Sequence, residues 1–254
     1  MKTLLSLFCG LLLFACNNTT TTVAPVTTDP QPPMEATTPG STLNATLDAV
    51  SAYNGDVTAL PGAAAVSNIN TWIDQLEDID AADKVTWNLR ALKNTLSQPT
   101  INGQLAGMQL ISLAEDTRQV GGTSSGITAL ASALKAGGEK LTNSAFGGSD
   151  LLGQTLSVIK SKGADITTLP GSAAVGNIDS WITKLEAMDG TTMITSDLKQ
   201  LKMELGKSSI DGAKVGTLLN SLARNTRALG GDNAGLATLA YALEAGASRL
   251  MYSK

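Results

Sequence analysis

The stretch "LPGAAAVSNINTWIDQLE" that starts at Leu60 returns as "LPGSAAVGNIDSWITKLE" starting at Leu169. The same spacing of 109 positions sets Leu43 against Leu152 and Leu141 against Leu250, with no gap between. Roughly 40 of about 100 aligned positions are identical, well above chance for an ungapped match. A period this long is a domain and not a solenoid unit of about 20–50 residues, and about 100 residues suffice to bury a core. The sequence therefore predicts a tandem pair, repeat 1 over 42–145 and repeat 2 over 151–254.

Each copy reads as helix throughout. In the first, helices are expected over 42–53, 62–80, 83–97, 101–119 and 125–142. Val66, Ile69, Ile73, Leu76 and Ile79 recur at helical spacing in the second of these, and Val85, Leu89, Leu92 and Leu96 in the third. Ser41 is placed to N-cap the first helix, and Gly121-Gly122 to stop the fourth. "GADITTL", residues 163–169, is the one strand candidate. Short connections between helices favour antiparallel neighbours, so the expected fold is all-α, a four- to five-helix bundle per copy. With aromatics at 4% of the chain, the cores must be leucine, isoleucine and alanine. Gly103, Gly107, Gly126, Gly137 and Gly138 fall inside predicted helices, each at a cost of roughly 1 kcal/mol relative to alanine. Close helix packing is the expected reason.

The amino-terminal segment has a different character. Lys2, a short apolar run from Leu4 to Phe14 and then Leu13-Phe14-Ala15-Cys16 make a positive start, an oily core and a small residue before a break. The run is too short to span a bilayer, which takes about 20 apolar residues. Leu13 through Cys16 resembles the lipobox of bacterial lipoproteins. That resemblance implies a signal peptide over 1–15, and acyl chains on Cys16 that anchor the mature chain stably in a membrane. Asn17, where many enteric lipoproteins retained at the inner membrane carry aspartate, then implies the outer membrane, facing the periplasm, in a cell with two membranes. Residues 16–41 contain five of the eight prolines and many threonines. A segment so poor in large apolar residues reads as a disordered tether.

Composition removes several function classes. The chain has 18 basic residues, one of them Lys2, against 22 acidic ones, and no basic cluster, so nucleic acid is not an expected partner. Its only cysteines are Cys9, inside the expected leader, and Cys16. No structural disulfide, thiol nucleophile or cysteine metal site is left to the mature chain. Histidine is absent, which removes the serine-histidine-aspartate triad, histidine zinc sites and ordinary haem ligation. No metal or cofactor is expected.

Trp72 and Trp181 match between the copies and align with core positions, so each is either a core tryptophan near the end of its bundle or a stacking platform for a ligand. Trp87 faces Ser196 in the other copy and stands outside the shared framework. Arg118 and Arg227, in the last turn of the fourth helix, suit the helix dipole or a carboxylate or phosphate ligand. Glu77 with Asp80, matched by Glu186 with Asp189, are acids three apart, read first as solvated surface groups. Ser196 and Lys199 have serine-lysine spacing, but Trp87 and Arg90 stand at the matching positions of the first copy. No catalytic residue is assigned. The leading expectation is a non-enzymatic, lipid-anchored envelope module, held to the membrane through Cys16, that binds or organises other envelope proteins. The alternative is a carrier holding a small apolar ligand or lipid between helices, which requires a cavity of a few hundred Å3 in place of a filled core. A hydrolase working through Glu77 or Asp80 comes third.

Overall fold

The computed structural model describes residues 39–143 and 150–251; the expected leader, Cys16 and residues 17–38 of the expected tether lie outside them, while the tether's last three residues, 39–41, are helical. Among the described residues the protein is a helical bundle without strands. Five helices precede the residue 144–149 segment: α1 (Pro39–Ser51), α2 (Gly62–Leu76), α3 (Asp83–Leu96), α4 (Gly103–Gly121) and α5 (Ser125–Thr142). Five follow: α6 (Leu151–Ser161), α7 (Gly171–Glu186), α8 (Thr192–Leu205), α9 (Gly212–Gly230) and α10 (Ala234–Met251).

The helix ends follow from local chemistry. Asn102 and Asp211 N-cap α4 and α9, accepting from the amides of Leu105 and Lys214, so α4 starts two residues later than its apolar spacing suggests. Both helices end on a glycine in the left-handed region, Gly122 at φ 65° and Gly231 at φ 49°. The second helix stops at Leu76, short of residue 80, because a 3-10 turn over Asp80–Ala82 redirects the chain. Ser41 lies inside α1 and does not cap it. The expected strand at 163–169 is instead a 3-10 turn, Ile166–Thr168, in which Asp165 accepts from the Thr167 amide and hydroxyl. Its β-branched residues are turn residues here because the aspartate offers their backbone a closer partner than any sheet edge.

Three apolar clusters hold the helices together. Ile69, Ile73, Leu89, Leu92 and Leu110 belong to one, drawn from α2, α3 and α4. Ile178, Ile182, Leu198, Leu201 and Leu219 belong to the second, drawn from α7, α8 and α9. The third joins the first half of the chain to the second: Met108 and Ile111 of α4 meet Leu156 and Ile159 of α6 and Tyr241, Ala242 and Ala245 of α10. By the 109-residue spacing α4 corresponds to α9 and α5 to α10, so this contact joins helices that are not counterparts.

The interior glycines divide into two kinds. Where α4 crosses α5, a Cβ on Gly107 would sit 2.9 Å from the Gly138 carbonyl oxygen, and one on Gly138 would sit 2.6 Å from the Gly107 carbonyl oxygen. The backbones touch, and only glycine fits at either position. At the corresponding crossing of α9 and α10 the second glycine is Ala247, and a Cβ on Gly216 would clear its carbonyl oxygen by 3.4 Å. That pair of helices stands further apart. Gly103, by contrast, has no atom within 4 Å of a would-be Cβ, so close packing does not account for it. Gly138→Ala should therefore lower stability by about 1–3 kcal/mol, while Gly103→Ala should raise it by about 0.4–1 kcal/mol. Urea midpoints of the two variants against the parent check both signs.

Candidate functional site

The open space beside Gly103 belongs to an apolar cavity of about 420 Å3 in the first half of the chain, and a second, of about 590 Å3, lies in the second half. Both fall within the ~300–1,000 Å3 of small-molecule sites. Every residue lining the first, except Ala82 and Gly121, has its counterpart 109 positions on in the lining of the second. Neither lining includes an aspartate, glutamate, lysine or arginine among the described residues. The wider spacing that Ala247 imposes on α9 and α10 is consistent with the second cavity being the larger.

One face of α4 lines the first cavity from Gly103 through Ala106, Leu110, Leu113 and Thr117 to Val120. This stripe of one residue per turn makes the space a slot running the length of the helix. The slot opens where α1 and α2 part, since Ala49, Gly62 and Ala64 line it and are exposed. Ile101 at its rim is 48% exposed and Ile210, its counterpart, 51%. Folding gives no reason to keep a large apolar side chain in water at the same place twice.

The polar groups of the lining are concentrated beside that opening. Trp72 Nε1 and Asn68 Nδ2 both donate to the Thr46 hydroxyl, at 3.0 and 2.9 Å, and the hydroxyl donates in turn to the Thr42 carbonyl at 2.7 Å. The second half repeats the arrangement: Trp181 Nε1 and Asn177 Nδ2 each lie 3.0 Å from the Thr155 hydroxyl, which donates to the Leu151 carbonyl at 2.8 Å. Trp72 and Trp181 are thus half-buried cavity walls with their indole N–H satisfied. Asn68 and Asn177, which the sequence did not single out, present amides to the slot.

The other sequence candidates lie elsewhere. Arg118 pairs with Glu115 at 3.8 Å and Arg227 with Glu244 on the surface, and neither lines a cavity. Glu77 meets Arg90 and Glu186 meets Lys199, again as exposed pairs. That second pair occupies the lysine of the serine-lysine spacing. Among the described residues no cluster of acidic residues has metal-site geometry.

A second feature, absent from the sequence reading, is a buried polar joint between the halves. Arg249 of α10 reaches Asp116 of α4 at 3.0 and 3.1 Å, Ser112 at 2.8 Å and Asp165 at 3.6 Å. Asn88 donates to Asp116 and accepts from the Tyr241 hydroxyl, and the Tyr241 ring stacks on Trp87 with centroids 5.6 Å apart. Burial pushes the Asp116 carboxyl above its usual range against the pull of Arg249, while the two acids hold Arg249 charged despite its own burial. The signal was in the mismatches between copies. Asn88 and Asp116 appear exchanged in the second copy as Asp197 and Asn225, still hydrogen-bonded at 3.1 Å. Lys140, which pairs with Asp56 of its own half at 2.6 Å, becomes Arg249, whose fork reaches an acid in each half.

No protein-family model, curated protein or solved structure matches the chain.

Arg249→Met, which leaves the Asp116 carboxylate buried without its counter-charge, should destabilise the protein by about 3–5 kcal/mol. The counterpart Lys140→Met, at an exposed pair, should leave the urea midpoint nearly unchanged. A separate prediction concerns Glu204, which anchors the turn carrying Ile210 through Lys207 at 2.7 Å, Lys214 at 3.1 Å and the Asp211 amide. The Lys207 hydrogen bond leads in lowering its pKa from 4.5 to about 2. A carboxylate depressed on folding adds stability above its unfolded pKa and loses it as pH falls through the folded one. The deficit in Tm of Glu204→Gln should therefore be full at pH 7, shrink below about pH 4.5 and vanish near pH 2.

Proposed function

We propose that the protein is a non-enzymatic, lipid-anchored module of the cell envelope. It is built as two tandem bundle domains behind a tether, each holding a small apolar ligand in its slot. The observation that carries this reading is the pair of matched cavities. Their linings correspond almost residue for residue, down to the exposed Ile101 and Ile210 and the hydrogen-bonded Thr46 and Thr155 triads. The joint has diverged over the same span: Trp87, Met108 and Ile111 face Ser196, Thr217 and Asn220. The repeats have had room to change and differ least around the cavity.

Anchoring fits such a role. Acyl chains on Cys16 would keep the slots beside a membrane, the source of apolar ligands, with the tether giving the domains reach. The competing reading, a surface that docks other envelope proteins, has Met188, Met193 and Met203 in its favour, which are exposed apolar side chains. They lie in the second half only, whereas avidity through duplication calls for a patch on both; the exposed apolar side chains that both halves do repeat, Ile101 with Ile210 and Val120 with Leu229, line the cavities.

The test uses the full chain with Cys16→Ser, purified without detergent and titrated with the apolar dye N-phenyl-1-naphthylamine. Binding should saturate at two dyes per chain. Gly103→Leu and Gly212→Leu, which fill space that the backbone leaves open, should each remove one. No saturable uptake would overturn the apolar-site reading.

A further inference from the structure

The shape of the slots narrows what they hold. The 19 residues of α4 make the first slot about 28 Å long at 1.5 Å per residue. An apolar stripe of that length matches an extended polymethylene chain and runs well past the rigid nucleus of a fused ring system. The lining without charged side chains gives an ionised headgroup no partner, and burying one unpaired is costly. What the opening offers is the neutral amide of Asn68 or Asn177. Each has one amide hydrogen committed to its threonine and its oxygen 3.2 or 3.4 Å from the same hydroxyl, and its position beside exposed Ala64 or Ala173 keeps the second amide hydrogen within reach of an entering ligand.

We infer that each slot takes one single-chain neutral lipid, an unbranched acyl chain lying along α4 or α9 with its uncharged polar end at Asn68 or Asn177. This rests on the apolar-site reading above and names the ligand class within it. The chain enters between α1 and α2, or α6 and α7, and its methylenes cover the leucine stripe in place of the missing side-chain atoms. The carbonyl or hydroxyl of the head exchanges hydrogen bonds with the asparagine amide, and the rest of the head stays in water.

The experiment displaces bound N-phenyl-1-naphthylamine from the full Cys16→Ser chain with three probes: 1-monododecanoylglycerol, dodecyltrimethylammonium as a single chain with a fixed charge, and a four-ring sterol. The monoacylglycerol should displace both dyes, the ammonium amphiphile should be at least tenfold weaker, and the sterol should displace none. Asn68→Leu with Asn177→Leu should weaken the monoacylglycerol about fivefold relative to the dye on the same variant, the loss of roughly one hydrogen bond per site. If the dye binds but the sterol displaces it better than the monoacylglycerol, the single-chain inference falls and the apolar-site reading stands. Equal affinity for the charged and neutral chains, or no effect of the asparagine changes, overturns the placement of a neutral head at the amide. Absence of dye binding overturns both readings together.

Discussion

One threonine hydroxyl in each half ties the lip of the cavity to its wall. Thr46 of α1 receives the indole N–H of Trp72 and the amide of Asn68, both from α2, and Thr155 does the same between α6 and α7. The hydroxyl is committed three ways, donating to its own helix and accepting twice from the next, and in the first half Gln75 also donates to the Thr42 hydroxyl, so the helices are pinned at this end of α1 and part beyond it. Parting is what opens the slot. On the opposite side the backbones of α4 and α5 meet at Gly107 and Gly138, which fixes the floor. A strut on one side and a close crossing on the other leave between them a space that the leucines line without filling.

The joint between the halves works by a different principle. Its apolar part gives area, but the Asp116–Arg249–Asp165 cluster gives a single register, because a buried charge tolerates no partner but its own. A lysine at position 249, as at 140 in the first half, would have no fork with which to reach both acids. The contact sets α4 against α10, helices that are not counterparts. Had both copies kept both faces, the same contact could repeat from molecule to molecule without closing. The second half instead shows Lys214, Thr217 and Asn220 where the first shows Leu105, Met108 and Ile111.

Much of the fold was legible in the sequence because helical periodicity is a local property. The spacing of Val85, Leu89, Leu92 and Leu96 defined α3 to within a residue of its end, and the paired glycines after residue 120 marked the stop of α4. Periodicity cannot distinguish a leucine that touches its neighbour across the bundle from one that faces a slot. Leu110 and Leu113 belong to the packed cluster and to the cavity wall at once. The same blindness applies to glycine, since Gly103 and Gly107 look alike in sequence although one faces space and the other a carbonyl. The joint escaped because attention to matched positions favours what the copies share, and a contact between unlike helices is written in what they do not. Arg118 and Arg227 matched and are surface pairs; Arg249 did not match and is buried.

The central claim is that both slots are ligand sites, and native mass spectrometry of the protein purified gently from the cells that make it tests it most directly. The account predicts a population heavier than the ligand-free protein by one and then two increments of a few hundred daltons, lost together on mild activation. A protein that carries no such increments, and takes up none when single-chain neutral lipid is added, would contradict it.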